Sequence, residues 1–322
     1  MLGMGALAMS GAWAAEGKAV KAPSKKVSKA KAAQTDRLEV SSSSPTAVAS
    51  YSSESQAAQS LQPAITAGAS TTSAQVGGIS SPLDKIYMGL TSTFHGTPLN
   101  NLGSEYSVDR TGKEKRSNYN SILFDSELGT GYRISKNVGV GAVVPFLMSV
   151  SRGQGFILGD VGLKVYNNHT IDAGGLHVAT NLMLQAPTSD SSADRDMKFA
   201  VKTTPSARYS FAHSSFSTGV YTEAKDYLGV SKEKTFKLWA LPYLQYSVSD
   251  NFALNMGYEM EWHHDVGRKG LGFDTYMTDL QPGVVITVMK GVIVNPYVQF
   301  YTMDKVDFDH AAVGAFMSAN IL

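Results

Sequence analysis

At 322 residues the chain is long enough for one large domain or two ordinary ones. Charged side chains make up 17% of it, the net charge is +1, and there is no cysteine. Those values exclude a disulfide scaffold, cysteine-ligated zinc or iron–sulfur centres, and a strongly basic nucleic-acid-binding protein, so no nucleic-acid partner is expected.

The first residues read as a targeting segment. Leu2 to Met9 is small and apolar, and Ala12-Trp13-Ala14 fits an A-x-A cleavage site. Residues 1–15 are therefore predicted to be a signal peptide; its basic leader is missing, so the true start is expected upstream of Met1 or the signal is atypical. Residues 16–82 carry Lys18, Lys21, Lys25, Lys26, Lys29 and Lys31, then a Ser/Ala/Thr-rich stretch with Ser41 to Ser44 as a run. So few large apolar residues cannot offset the entropy of ordering, which predicts a disordered periplasmic arm. It is a plain tether or a basic contact to peptidoglycan or lipid headgroups.

From residue 83 to 322 the texture changes. Segments of roughly ten residues alternate apolar and polar and are separated by turn residues, the signature of a transmembrane β-barrel. The predicted strands are 84–94, 119–132, 138–149, 156–167, 175–186, 197–211, 215–227, 235–248, 252–263, 273–289, 292–303 and 311–322. That is an all-β, closed antiparallel barrel of about 12 strands, the even number expected of bacterial single-chain barrels. No apolar run of about 18 residues follows the N-terminus, so no helix is expected to span a membrane.

Connections alternate in length. Ser135-Lys136-Asn137, His213-Ser214, Ser249-Asp250-Asn251 and Lys290-Gly291 are tight turns, and 168–174 is a longer member of the same set. Between them fall polar loops at 95–118, 150–155, 187–196, 229–234, 264–272 and 304–310. Outer-membrane barrels have short periplasmic turns and long external loops, which puts the protein in the bacterial outer membrane among lipid and lipopolysaccharide.

Alternation also assigns faces. In 252–263, Phe252, Leu254, Met256, Tyr258, Met260 and Trp262 share one face; Ala253, Asn255, Gly257, Glu259, Glu261 and His263 share the other. Aromatics near strand ends (Phe94, Tyr132, Tyr166, Tyr209, Tyr227, Tyr246, Trp262, Tyr301) are expected to form interfacial girdles. Pro145, Pro242, Pro282 and Pro296 each remove a ladder donor and are expected at bulges or rims. Gly129-Thr130-Gly131 and Gly139-Val140-Gly141 precede no helix, so they are read as aids to strand curvature and not as a phosphate loop.

Val144-Pro145-Phe146, a short polar loop, and Gly159-Asp160-Val161-Gly162-Leu163-Lys164-Val165-Tyr166 resemble the central hairpin of the outer-membrane transporter family named for the meta-pathway of phenol degradation. Pro145, Gly159 and Asp160 carry the match. The resemblance implies a barrel for passive uptake of small, often aromatic or hydrophobic, molecules. It covers about 25 residues.

The polar faces carry Asp125, Glu127, Asp160, Lys164, Lys198, Lys202, Arg208, Glu223, Lys225, Glu259 and Glu261 as lumen-lining candidates. Charges of both signs either set a field across a pore or fill a small barrel with salt bridges. His263-His264-Asp265 beside Glu261 is the only cluster suggesting catalysis or metal, and adjacent residues of a strand point to opposite sides. The chain is therefore read as a porin-like channel or transporter for small solutes, with no cofactor, metal or enzymatic role. A structural or adhesive barrel tethered by its arm and a rim hydrolase are the alternatives.

Overall fold

The computed structural model of the protein describes residues 85–98, 106–108, 114–116, 123–149, 156–270, 272–303, 306–308 and 311–321. The expected signal peptide and arm, and most of the 95–118 loop, lie outside the described residues.

The elements run β1 (Ile86–Pro98), β2 (Tyr106–Val108), β3 (Glu114–Arg116), β4 (Leu123–Arg133), β5 (Val138–Ser149), β6 (Phe156–Leu158), β7 (Gly162–Ala173) and β8 (Leu176–Gln185). A one-turn helix, α1 (Asp190–Asp194), precedes β9 (Phe199–Thr203), β10 (Ser206–Ser210), β11 (Phe216–Leu228), β12 (Lys234–Ser249), β13 (Phe252–Asp265), β14 (Asp274–Met289), β15 (Val292–Tyr301) and β16 (Ala312–Asn320).

All sheet pairings are antiparallel, and β1 pairs with both β4 and β16, so the last strand closes on the first. The pieces β9 and β10 form one wall strand: their registers on β8 and β11 run unbroken through Thr204-Pro205. Likewise β6 and β7 are one strand split by a bulge, since Phe146 pairs with Leu158 but Val143 with Gly162. The result is a closed twelve-stranded barrel, with β2 and β3 forming a small separate hairpin. Closure satisfies the backbone of every wall strand and leaves no edge.

The polarity of this barrel is inverted relative to a soluble domain. Leu163, Leu182, Leu184, Leu244, Leu254 and Met256 are exposed on the outside, whereas Asp125, Glu223, Lys237, Glu261 and Asp279 are buried inside. Aromatic pairs mark the outer margins: Phe94–Phe124, Phe146–Phe156 and Phe300–Phe308 near the long loops, Tyr209–Phe211 and Phe216–Tyr246 near the short turns. From Phe124 to Tyr132 the strand runs about 26 Å at ~3.3 Å per residue. At a tilt of about 40° that is roughly 20 Å of height, close to the apolar band of a membrane barrel.

Three of the expected girdle aromatics are inside. Tyr166, Tyr227 and Tyr301 share the register and face of Gly139, Ala200 and Asp279. Position near a strand end fixes height, but residue parity fixes the face. The paired glycines explain part of this arrangement. A Cβ at Gly131 or Gly141 would lie within 2.5 Å of the Tyr87 hydroxyl, and one at Gly139 within 2.3 Å of the Tyr166 hydroxyl. These glycines make room for inward tyrosine rings, which meet edge to face at 5.4 Å.

The prolines also depart from expectation. Pro145 does sit opposite the β6/β7 bulge, accepting from the Gly159 backbone amide at 2.8 Å. Pro242, Pro282 and Pro296 instead lie within strands, paired on one side with Val220, Met256 and Ala315 without a register shift there. A proline lacks only its own N–H, and one missing ladder bond is tolerated where the neighbouring pairs hold the register. The predicted loop at 168–174 is mostly strand. β7 continues to Ala173, and Gly174-Gly175 (φ +59° and +86°) makes the turn in conformations that glycine adopts without penalty.

Candidate functional site

The inner wall has two levels. Nearer the long loops it carries a belt of charge built by alternate residues of neighbouring strands. Lys202 on β9 lies 3.7 Å from Glu223 on β11, whose other oxygen is 3.1 Å from Lys237 Nζ on β12. Lys237 is 3.6 Å from Glu261 on β13, and Glu261 Oε1 is 2.5 Å from His263 Nε2. Cross-strand pairing of Lys202 with Lys225, Lys225 with Lys237 and Lys237 with His263 sets this proximity.

The belt continues as hydrogen bonds. Trp239 Nε1 donates to Glu259 Oε1 at 2.7 Å, and Gln281 Nε2 donates to Glu259 and to Asp279 at 2.5 and 2.8 Å. Gln299 Nε2 donates to Asp279 at 2.8 Å, and the Tyr301 hydroxyl donates to Gln299 Oε1 at 3.2 Å. Six elements, β9 and β11 to β15, thus contribute to one belt across six neighbouring wall strands, β10 only extending the β9 strand below it. Buried charges persist when such partners replace the lost hydration.

Below the belt, toward the short turns, β11 to β15 add an aromatic and aliphatic cluster to the wall, beside buried Ser217, Gln245 and Asn295. Tyr221, Trp239, Leu241, Tyr243, Ala253, Val285 and Ile293 form one buried cluster, with the Tyr221 and Tyr243 rings stacked at 5.1 Å.

A folded loop stands at the long-loop end. Asp160, in the β6/β7 bulge, accepts from the Thr188 and Ser189 amides at 3.1 and 3.0 Å and from the Ser189 hydroxyl at 2.9 Å; its other oxygen accepts from Ser192 Oγ at 2.5 Å. Ser189 caps α1 by accepting from the Ser192 amide at 3.2 Å. Met197, just beyond, packs with Ala200 and Tyr227. Arg195 Cζ and Lys225 Nζ lie 5.0 and 4.6 Å from the Tyr227 ring centroid. Asp160→Ala is expected to release this loop. A hydrogen bond to a charged group contributes about 1.5–3 kcal/mol, so losing several should raise the open population at least tenfold. Limited trypsin digestion at Arg195 and Lys198 should accelerate accordingly while the barrel stays intact; unchanged cleavage would show that Asp160 does not hold the loop.

Of the residues singled out from sequence, Asp125, Glu127, Asp160, Lys202, Glu223, Lys225, Glu259 and Glu261 are buried. Lys164 and Arg208 are half-buried on inward-facing positions, paired with Gly141 and Gly219. Lys198 is the exception: it precedes β9 at the rim and is exposed. The two histidines do point apart. His263 joins Glu261 and stacks on Tyr276 at 4.1 Å, while His264 Nδ1 lies 2.7 Å from the Gly272 carbonyl. Sequence reading missed Lys237, Trp239, Asp279, Gln281 and Gln299. Alternation through 234–249, 274–289 and 292–301 could have found them, had every polar residue of the inward parity been counted.

No protein-family model matches this chain, and no curated protein matches it. Among solved structures it is similar to the COG4313 outer membrane channel from Pseudomonas putida F1, at 11% identity over 77% of this chain and 98% of that one, with a TM-score of 0.47. It is also similar to OmpF of Salmonella typhi in complex with daunomycin, at 9% identity over 73% and 97% of the two chains, with a TM-score of 0.36.

Proposed function

We propose that the protein is a bacterial outer-membrane channel for passive passage of small solutes. The observation that carries this reading is the inverted polarity of a closed barrel: exposed leucines and methionine outside, charge and hydrogen-bonding groups inside. Such an outer surface has no place in water but suits lipid, with lipopolysaccharide around the long loops. A charged belt over an aromatic wall favours small aromatic or hydrophobic solutes. The belt's two signs can orient a polar end, and the stacked Tyr221 and Tyr243 offer a flat apolar surface. The likeness of the Pro145, Gly159 and Asp160 hairpin to an aromatic-uptake family supports the same solute class. The six lysines of the arm are proposed to meet peptidoglycan.

The folded protein, added to a planar bilayer, should give discrete current steps. Proteoliposomes should swell faster in sodium benzoate than in sodium lactate, a smaller aliphatic carboxylate. Neither current nor swelling above protein-free controls would remove the channel reading; swelling equal for both solutes would remove the aromatic preference alone.

A further inference from the structure

At the short-turn end, away from the charged belt, the β7–β8 hairpin gathers His169, Asp172 and His177. One potential ligand atom of each lies within 4.8 Å of the other two. His169 Nδ1 is 3.2 Å from Asp172 Oδ2, and the two imidazoles meet edge to face with centroids 4.7 Å apart. We propose that this triad is a binding site for a divalent transition-metal ion of the zinc type, held by two imidazoles and one carboxylate with a remaining position open to water.

The hairpin's geometry makes the cluster. Asp172 pairs directly with His177 across the turn, which puts both on one face. His169 is three residues before Asp172, so in a regular strand it would point to the opposite face. The register between β7 and β8 shifts between Asn167 and Ile171, and this bulge lets His169 curl back beside Asp172. The His169 amide donates to Asn167 Oδ1 at 3.1 Å, and Thr170 Oγ1 meets Thr180 Oγ1 at 2.7 Å, which fixes the bulge on both sides. The Gly174-Gly175 turn sets the two strands at hairpin spacing.

The donor set suits the ion. Zinc binds imidazole nitrogen and carboxylate oxygen at about 2.0–2.2 Å, so ligand atoms around one ion stand roughly 3.3 Å apart. His169 and Asp172 already meet that spacing, and His177 needs only a side-chain adjustment. His169 and Asp172 are exposed and His177 half-buried, so an ion can enter from water. Arg208 pairs with His177 from the neighbouring strand and is a cation beside that imidazole, so the carboxylate of Asp172 is the charge that offsets it for an ion.

Zinc chloride titrated by calorimetry into the full-length protein, refolded in detergent, tests the site without reference to conduction. Wild type should bind at least one zinc that His169→Ala and His177→Ala each lose or weaken at least tenfold. Asp172→Asn should weaken it less, because the amide still offers an oxygen. His213→Ala, at another short turn, should bind as wild type does. Heat-dependent gel mobility reports folding of each variant separately. Absence of zinc binding by folded wild type, or binding unchanged in both histidine variants, overturns the proposal.

Discussion

Replacing Lys237 by methionine is expected to weaken the folded barrel by roughly 3–5 kcal/mol, the usual cost of removing one member of a buried charge cluster. Lys237 is fully buried and touches two carboxylates, Glu223 at 3.1 Å and Glu261 at 3.6 Å. Methionine fills the same volume, so packing changes little. What is lost is the cation between two acids, leaving Glu223 with Lys202 and Glu261 with His263. A urea titration of refolding into detergent micelles, followed by heat-dependent gel mobility, reads the loss directly. Adding Glu261→Gln should recover part of it, because it removes a carboxylate that Lys237 no longer offsets, while Glu223 keeps Lys202. A change below about 1 kcal/mol would show that the belt is bathed in water, where exposed ion pairs contribute that little.

The second large effect distinguishes the two faces of one strand. Met256→Arg is expected to cost roughly 2–4 kcal/mol in a bilayer, the cost of a cation on the lipid side at mid-depth. Met256 is 50% exposed and pairs with Leu244 and Pro282, between the aromatic margins. In a soluble protein, arginine at a half-exposed site would cost almost nothing, so a neutral Met256→Arg would show that this surface does not meet lipid. The matching change inside is Glu259→Gln, expected to keep folding near normal and, in conducting protein, to shift ion preference toward anions. Alternation by itself gives the face of Glu259 but not its partners, which decide what arginine would do there. Glu259 is buried and accepts from Trp239 and Gln281, so arginine would strand the Trp239 donor, leave Gln281 with Asp279 alone, and place a second cation near Lys237. Glu259→Arg should therefore destabilise as well, for a different reason from Met256→Arg, and refolding without lipid separates them: only the Glu259→Arg defect should persist in micelles lacking a thick apolar band.

How far the barrel was legible from sequence follows from which signals are local. Alternation in 252–263 assigned Met256 outward and Glu259 inward correctly, because side-chain direction repeats every two residues whatever the neighbours do. Val138–Ser149 has the bounds read from its pattern, since turn residues flank it. The split of β6 from β7, and Asp160 in the bulge between them, had no such signal: a bulge is set by what the opposite strand needs. Tyr166, Tyr227 and Tyr301 were placed at the right height and on the wrong side, because aromatic residues suit both an interfacial girdle and a glycine-cleared inner wall.

The sequence by itself determined the class of the fold, the number of wall strands and which residues of 252–263 face inward. Those depend on periodicity and on turn residues, which act within a few positions. Only the tertiary structure decided which charges meet. Lys202, Glu223, Lys237 and Glu261 come from four elements, and their contact depends on how each strand is staggered against the next. The same holds for His169, Asp172 and His177, whose shared face requires a bulge and a two-glycine turn at once. Register between strands is a sum of many backbone pairings around a closed ring, and no single segment carries that sum in its own residues.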